Sequence, residues 1–324
     1  MRKAYSRIFQ PYNKNRETGD EDGTTEDSQK RESETILPQP SVFGEMPTYF
    51  HVGANAKECL LRGYKIGAWQ IQCRSEVDGL TLSTYGEAYP KASDIFGGLE
   101  AYKEVGNGHV AIAWLTDKQI LANVGLKNHF SGGLCYSNLK CSGSPEDSSD
   151  FKCQLKTGIE RNPIKLEVIL PLHNQSFIKG YALVVPTEKW ILGYRMVYNL
   201  DEKAFDKHAL CVGFNNGSTE FGLKLENLKD LRGSIFQRMG DSWAFAFKMN
   251  SYGSEGQAKF AFGGQYEFDN GSILKAKMRD DANVGVVYQT SLGENIGVQY
   301  HFGFEGKSPL DGEHKIGASW SFNC

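Results

Sequence analysis

From residue 65 onward, apolar and polar side chains alternate in short runs separated by turn residues. In Asn295–Phe304 the apolar positions are Ile296, Val298, Tyr300, Phe302 and Phe304; in His314–Phe322 they are Ile316, Ala318, Trp320 and Phe322. The residues between them, such as Gly297, Gln299, His301, Lys315 and Ser319, are small or polar. A period of two is that of a strand whose side chains point alternately to two faces. Trp69, Ile71 and Cys73 alternate in the same way with Gln70, Gln72 and Arg74, and Cys153, Leu155 and Thr157 with Lys152, Gln154 and Lys156. Trp190, Leu192, Tyr194, Met196 and Tyr198 share one face, as do Phe221, Leu223 and Leu225, and Trp243, Phe245, Phe247 and Met249. Val77-Asp78-Gly79, Gly106-Asn107-Gly108, Asn215-Asn216-Gly217, Asp269-Asn270-Gly271 and Asp311-Gly312 supply the turns.

At roughly 10 residues per strand plus a turn, this region holds about 18–20 strands. The expected fold is an all-β membrane protein: a closed transmembrane β-barrel with its aromatic-rich face toward lipid. Closure removes the unpaired edges that an open sheet of this size would expose. A pair of soluble β-sandwiches would alternate too, but the wet faces mix Gly with charges, and no Pro-rich linker divides the region. A mean hydropathy of −0.45 does not oppose the barrel, since every second residue of such a wall faces water.

The first 64 residues read differently. Residues 1–45 form an acidic tail whose stretch Asn13–Thr35 has no aromatic residue and many charges, and it is expected to be disordered. Residues 46–64 are expected to form an amphipathic helix over Pro47–Gly63, with Val52, Ala56, Cys59, Leu60 and Gly63 on one side. Its weakly apolar stripe suits a wet wall better than a dry core. Residues 65–324 are the barrel.

Met1-Arg2-Lys3-Ala4-Tyr5 lacks an apolar h-region, so no secretory signal is expected. The seven cysteines are odd in number and form no CxxC pair, which predicts reduced thiols rather than a disulfide framework or a zinc site. A barrel made in the cytosol points to a eukaryotic organelle outer membrane. The net charge of −3 gives no reason to expect nucleic acid, and the seven scattered histidines suggest neither an enzyme nor a cofactor site.

The inferred wet faces carry Arg74, Lys152, Lys156, Lys165, Arg195, Lys224, Lys248, Lys259, Lys275 and Lys277, against only Glu167, Glu226 and Glu267. A lumen lined mainly by cations concentrates anions. Basic residues are also a common solubilising choice on any wet strand face.

Several segments then point to a family. Pro47-Thr48-Tyr49 with Gly53, Ala56, Lys57 and Arg62-Gly63-Tyr64 resembles the N-terminal helix of the mitochondrial voltage-dependent anion channel (eukaryotic porin) family. Tyr266-Glu267-Phe268-Asp269, Ser272, Ala276-Lys277-Met278 and Gly285 resemble its signature, departing at Asn270 and Arg279. The resemblance covers about residues 46–324. It implies a 19-stranded barrel of the mitochondrial outer membrane, with the helix in the lumen and strand one parallel to strand nineteen. It further implies voltage gating, small anions and nucleotides as permeants, contact with outer-membrane lipid, and homo-oligomerisation as an option. Nucleotide contacts implied by the resemblance fall on Asn283, Val284, Gly285, His301, Phe302, Gly303, Phe304, Glu305 and Arg62. The family's two helix lysines become Ala54 and Arg62, and its membrane-facing glutamate aligns with Ile112, so this chain resembles a divergent paralogue. A protein-import pore, or a membrane scaffold recruiting partners through residues 1–45, stands beside the channel reading.

Overall fold

In a computed structural model of the chain, residues 45–65, 67–89, 94–146, 150–253, 257–307 and 314–324 are described. The acidic tail up to residue 44 and the Asp311-Gly312 turn lie outside the described residues. Nineteen strands form a single closed sheet. They are β1 (Trp69–Val77), β2 (Leu80–Tyr89), β3 (Asp94–Val105), β4 (Gly108–Leu115), β5 (Ile120–Phe130), β6 (Gly133–Gly143), β7 (Lys152–Arg161), β8 (Ile164–His173) and β9 (Phe177–Thr187). The second half comprises β10 (Trp190–Asn199), β11 (Ala204–Asn215), β12 (Thr219–Glu226), β13 (Asp230–Met239), β14 (Trp243–Tyr252), β15 (Gln257–Glu267), β16 (Ile273–Arg279), β17 (Asn283–Ser291), β18 (Ile296–Glu305) and β19 (His314–Asn323). Each strand pairs antiparallel with its neighbours in sequence. An odd number of strands cannot close that way throughout, so β1 meets β19 in parallel, from Trp69 opposite Ala318 to Arg74 opposite Asn323.

The alternation read from the sequence becomes the two faces of this wall. Ile95, Trp114 and Ile316 are 81%, 63% and 60% exposed on the outer face, while inward Leu183 is 1% exposed. Among the described residues, no helix is long and apolar enough to cross a membrane; the apolar outer face is built by the strands.

The N-terminal segment lies inside. The expected helix over Pro47–Gly63 is shorter and broken: a 3-10 turn spans Tyr49–His51 and one helix, α1, spans Ala54–Leu60. The break is Gly53, whose φ of +78° is left-handed and whose added Cβ would meet the Ser234 hydroxyl at 2.5 Å. The segment runs lengthwise through the barrel. Glu45 and Met46 sit beside Glu160, next to the last residue of β7, whereas β1 begins at the opposite end of the wall.

The expected wet wall beneath α1 is also corrected. Ala56, Cys59 and Leu60 pack on Phe236, Ala244 and Ala246, and Tyr49 and Val52 on Tyr181, Leu183, Ala209 and Cys211. Small inward residues make room for this dry contact. A Cβ at Gly222 would lie 2.9 Å from the Gly53 nitrogen, and one at Gly263 would lie 2.9 Å from Leu60 Cδ2.

The thiol expectation is corrected at one place: Cys141 of β6 and Cys153 of β7 are disulfide-bonded, facing each other across the ladder with Cα atoms 4.2 Å apart. The register of two antiparallel strands brought them together, which cysteine spacing alone does not reveal.

Candidate permeation pathway

The registers place all ten basic residues named above on the inward face. Lys152 and Lys156 share a face with Glu160, Arg195 lies opposite Ala209, and Lys259 lies opposite Asn250. Their surroundings divide them. Lys165, Lys224, Lys275 and Lys277 are taken up by the N-terminal segment rather than open to the lumen. Lys165 Nζ donates to the Met46 carbonyl at 3.2 Å, and Lys275 Nζ to the Glu58 carbonyl at 3.0 Å. Lys224 and Lys277 stand over the rings of Tyr49 and Tyr64, 4.6 and 4.2 Å from the centroids. Arg195 is buried near Tyr49. Toward the mouths, Arg74 and Lys152 pair with Glu76 and Asp150 at 3.9 and 3.4 Å, while Lys259 is exposed.

The short list of inward carboxylates also needs correction. Glu76, Glu87, Glu100, Glu160, Glu220 and Glu305 join Glu167, Glu226 and Glu267 on the inner wall, and α1 adds Glu58. Most of them neutralise a cation. Glu160 pairs with Lys165 at 2.5 Å, Glu167 with Lys156 at 3.1 Å, Glu226 with Arg232 at 3.1 Å and Glu87 with Lys65 at 3.5 Å. Parity could have found Glu160, which lies four and eight positions beyond Lys156 and Lys152. Arg232, Arg238, Lys179 and Lys315 are inward cations that the sequence reading omitted. The wall is therefore a paired lattice with a modest basic excess, so the attraction it exerts on anions is weaker than ten bare cations would give.

Glu220 and Lys275 hold the two ends of α1. Glu220 Oε2 accepts the Asn55 N–H at 3.0 Å and also receives the Gly53 and Ala54 amides. A carboxylate there satisfies donors with no partner inside the helix and complements the positive end of its dipole. Burial drives the Glu58 carboxyl upward, but Lys275 and Arg62 outweigh it and leave it below the usual carboxylate range. His51 is held below its ordinary value by burial, reinforced by Lys165 and Lys224. Its Nδ1 accepts the Thr48 N–H at 2.9 Å and lies 2.8 Å from the Thr48 hydroxyl.

The nine residues implied for nucleotide contact do not present one side-chain surface. Asn283, Gly285, His301, Gly303 and Glu305 face inward, whereas Val284, Phe302 and Phe304 project from the outer face. His301 is fully buried, its Nε2 3.0 Å from the Ser319 hydroxyl, which donates in turn to Gln70 at 3.3 Å. Gln70 donates to Glu87 at 2.5 Å, and this polar chain ties the β1–β19 seam to its neighbours. Arg62 is bound to Glu58 at 2.8 Å. Among the described residues, no group of three or more His, Cys, Asp or Glu could hold a metal ion.

Comparison with known proteins bears on this lumen. The sequence profile described as eukaryotic porin matches residues 45–317. The Drosophila melanogaster protein named voltage-dependent anion-selective channel is 23% identical over 279 residues, covering 84% of this chain and 96% of its own. The Ovis aries protein named non-selective voltage-gated ion channel VDAC1 is 24% identical over 283 residues, covering 86% and 99%. Among solved structures, two mutant forms of the Rh. blastica porin superpose with TM-scores of 0.50 at 8% and 9% identity, covering 74% and 75% of this chain and 99% of theirs. At that identity the likeness concerns the fold alone.

Proposed function

This chain belongs to the eukaryotic porin family, and we propose that it is a voltage-gated pore of the mitochondrial outer membrane that passes small ions and metabolites, its wall weakly favouring anions. The observation that carries the reading is the sidedness of the closed sheet: an apolar, aromatic exterior and an interior of paired charges with a basic surplus. Such a wall offers water and ions a continuous polar surface, while its exterior satisfies a bilayer. Mitochondrial placement is supported by the motif resemblance of Pro47–Tyr64 and Tyr266–Gly285. The weakness of the anion preference follows from the pairing of Glu160, Glu167 and Glu226 with wall cations.

Nucleotides fit this reading as permeants. The outward Val284, Phe302 and Phe304 leave only part of the implied contact set within reach of a molecule in the lumen. The N-terminal segment supplies the element that voltage can act on, because it carries Lys57, Glu58 and Arg62 and is held by discrete contacts rather than by chain closure. A protein-import role suits this lumen less well, since residues 45–65 already occupy it.

Reconstitution of the folded chain into planar bilayers tests the proposal. Large conductance steps that close as voltage rises at either polarity, with a small anion-directed reversal potential in a salt gradient, are the expected outcome. Folded protein that leaves the bilayer insulating would refute it.

A further inference from the structure

The amino end of the N-terminal segment sits in a site built by β7 and β8. Glu160 Oε2 accepts the backbone N–H groups of Glu45 at 2.8 Å and Met46 at 3.1 Å, and Lys165 Nζ donates to the Met46 carbonyl at 3.2 Å. Glu160 and Lys165 also pair with each other at 2.5 Å and are 3% and 0% exposed. A charged pair taken this far out of water is costly unless its other donors and acceptors are used, and here main-chain groups use them. The ligand is backbone, so the site fixes where the chain passes whatever side chains it carries.

The wall supports the pair from behind. Lys165 Nζ stands 5.5 Å from the centroid of the Tyr136 ring, and the Tyr136 hydroxyl donates to Glu167 Oε2 at 2.7 Å. A Cβ at Gly158 would run into that ring, so the bare glycine of β7 is what admits it. By contrast, the Lys118–Glu146 pair at 2.7 Å leaves both side chains more than half exposed and binds no part of the segment.

The segment is thus fastened at both ends. Its carboxyl end runs covalently into β1, with the Gly63 carbonyl held by Gln299 at 2.9 Å and Lys65 paired with Glu87. Its amino end is held by hydrogen bonds and charge. Lys57, Glu58 and Arg62, on which a transmembrane voltage pulls, lie between the two fastenings. Any excursion of α1 beyond the slack in residues 47–53 therefore requires the amino end to let go.

We propose that Glu160 and Lys165 are positioning residues of the voltage gate: they seat the amino end on the wall in the open pore, and release of Glu45 and Met46 from them is a required step of closure. This rests on the pore reading above, and adds to it the place where the moving element must detach.

The test uses the full chain in planar bilayers with two changes of opposite effect. The double variant Glu160→Gln, Lys165→Met removes the charged contacts to the segment without changing the net charge of the wall or leaving a lone buried charge. Its closed fraction at a given moderate voltage should rise about tenfold, with open-state conductance and reversal potential as in the native chain. The second change pins the amino end without touching the pair. Glu45 Oε1 lies 3.9 Å from His129 Nε2, so Glu45→Cys with His129→Cys, in an otherwise cysteine-free chain, can be joined by a short, reducible bifunctional thiol reagent. The bridged pore should conduct but no longer close with voltage, and reduction should restore closure. A bridged pore that closes as the unbridged one does would overturn the proposal, as would native voltage dependence in the double variant or a native chain that conducts without closing. Loss of conductance in every chain, native included, would instead overturn the pore reading and this inference with it.

Discussion

Glu220 of β12 closes the amino end of α1, accepting the Asn55 N–H at 3.0 Å from 165 positions away in sequence. Gly53 offers no side-chain cap of its own, so the barrel wall supplies what the helix lacks. A seven-residue helix is too short to persist alone in water. Its structure is thus a consequence of docking, and changes in the wall should be read out as changes in the helix.

Glu220→Ala removes the acceptor and leaves buried amides unsatisfied, a loss of about 1–3 kcal/mol. The undocked population should rise by one to two orders of magnitude, with Glu220→Gln intermediate. Spin-label distances between position 57 and the β12–β13 wall would broaden, while the β-sheet circular dichroism of the barrel stays unchanged.

Gly222→Val should dislodge the segment by volume alone. Even a single Cβ would approach the Gly53 nitrogen to 2.9 Å and Val52 Cγ1 to 3.1 Å. Overpacking of this kind costs about 1–3 kcal/mol. The expected result is faster proteolysis at Lys57 and Arg62 with an intact barrel.

Acidification should loosen the same contact. His51 titrates below its ordinary value of 6.5 when docked, so undocked chains take up the proton first and docking weakens as pH falls below about 6.5. Protonation at Nδ1 also ends its acceptance of the Thr48 N–H. Glu58 is likewise held low when docked, so its contribution is complete above the usual carboxylate range and is lost as pH falls through its docked value. Helix mobility measured from pH 8 to about 3 should therefore rise in two stages, and His51→Gln should abolish the first. A flat profile in the native chain would contradict this assignment.

How far these contacts were legible in the sequence depends on their range. The outward sets headed by Trp190, Phe221 and Trp243 were readable because alternation along a strand is local, and the barrel followed from their number. The helix was overextended because Val52, Ala56 and Leu60 keep a helical spacing across Gly53, whose left-handed φ is imposed by the approach to Ser234 and Gly222. The Glu160–Lys165 and Glu226–Arg232 pairs were not readable as pairs, since each depends on cross-strand register. That is also why the lumen was read as more basic than it is. The Cys141–Cys153 bond escaped for the same reason.

The division of wall cations into open and occupied has its own consequence. Lys259→Glu, at an exposed inward site, should shift the reversal potential toward cations. Lys275→Met, which removes the bond to the Glu58 carbonyl and its ion pair at 3.5 Å, should mainly alter voltage gating and leave selectivity nearly unchanged. Equal selectivity shifts in both would contradict the division.

Which face of the sheet meets water is measured most directly on β3, since α1 packs on β13, β14, β15 and β16. Single cysteines at positions 99, 100, 101 and 102, placed in an otherwise cysteine-free chain in liposomes, would be probed with a membrane-impermeant thiol reagent. Glu100 and Tyr102 face inward and Leu99 and Ala101 outward. Labelling is expected at 100 and 102 alone; labelling at 99 and 101, or at all four positions alike, would contradict a lipid-embedded barrel with an aqueous interior.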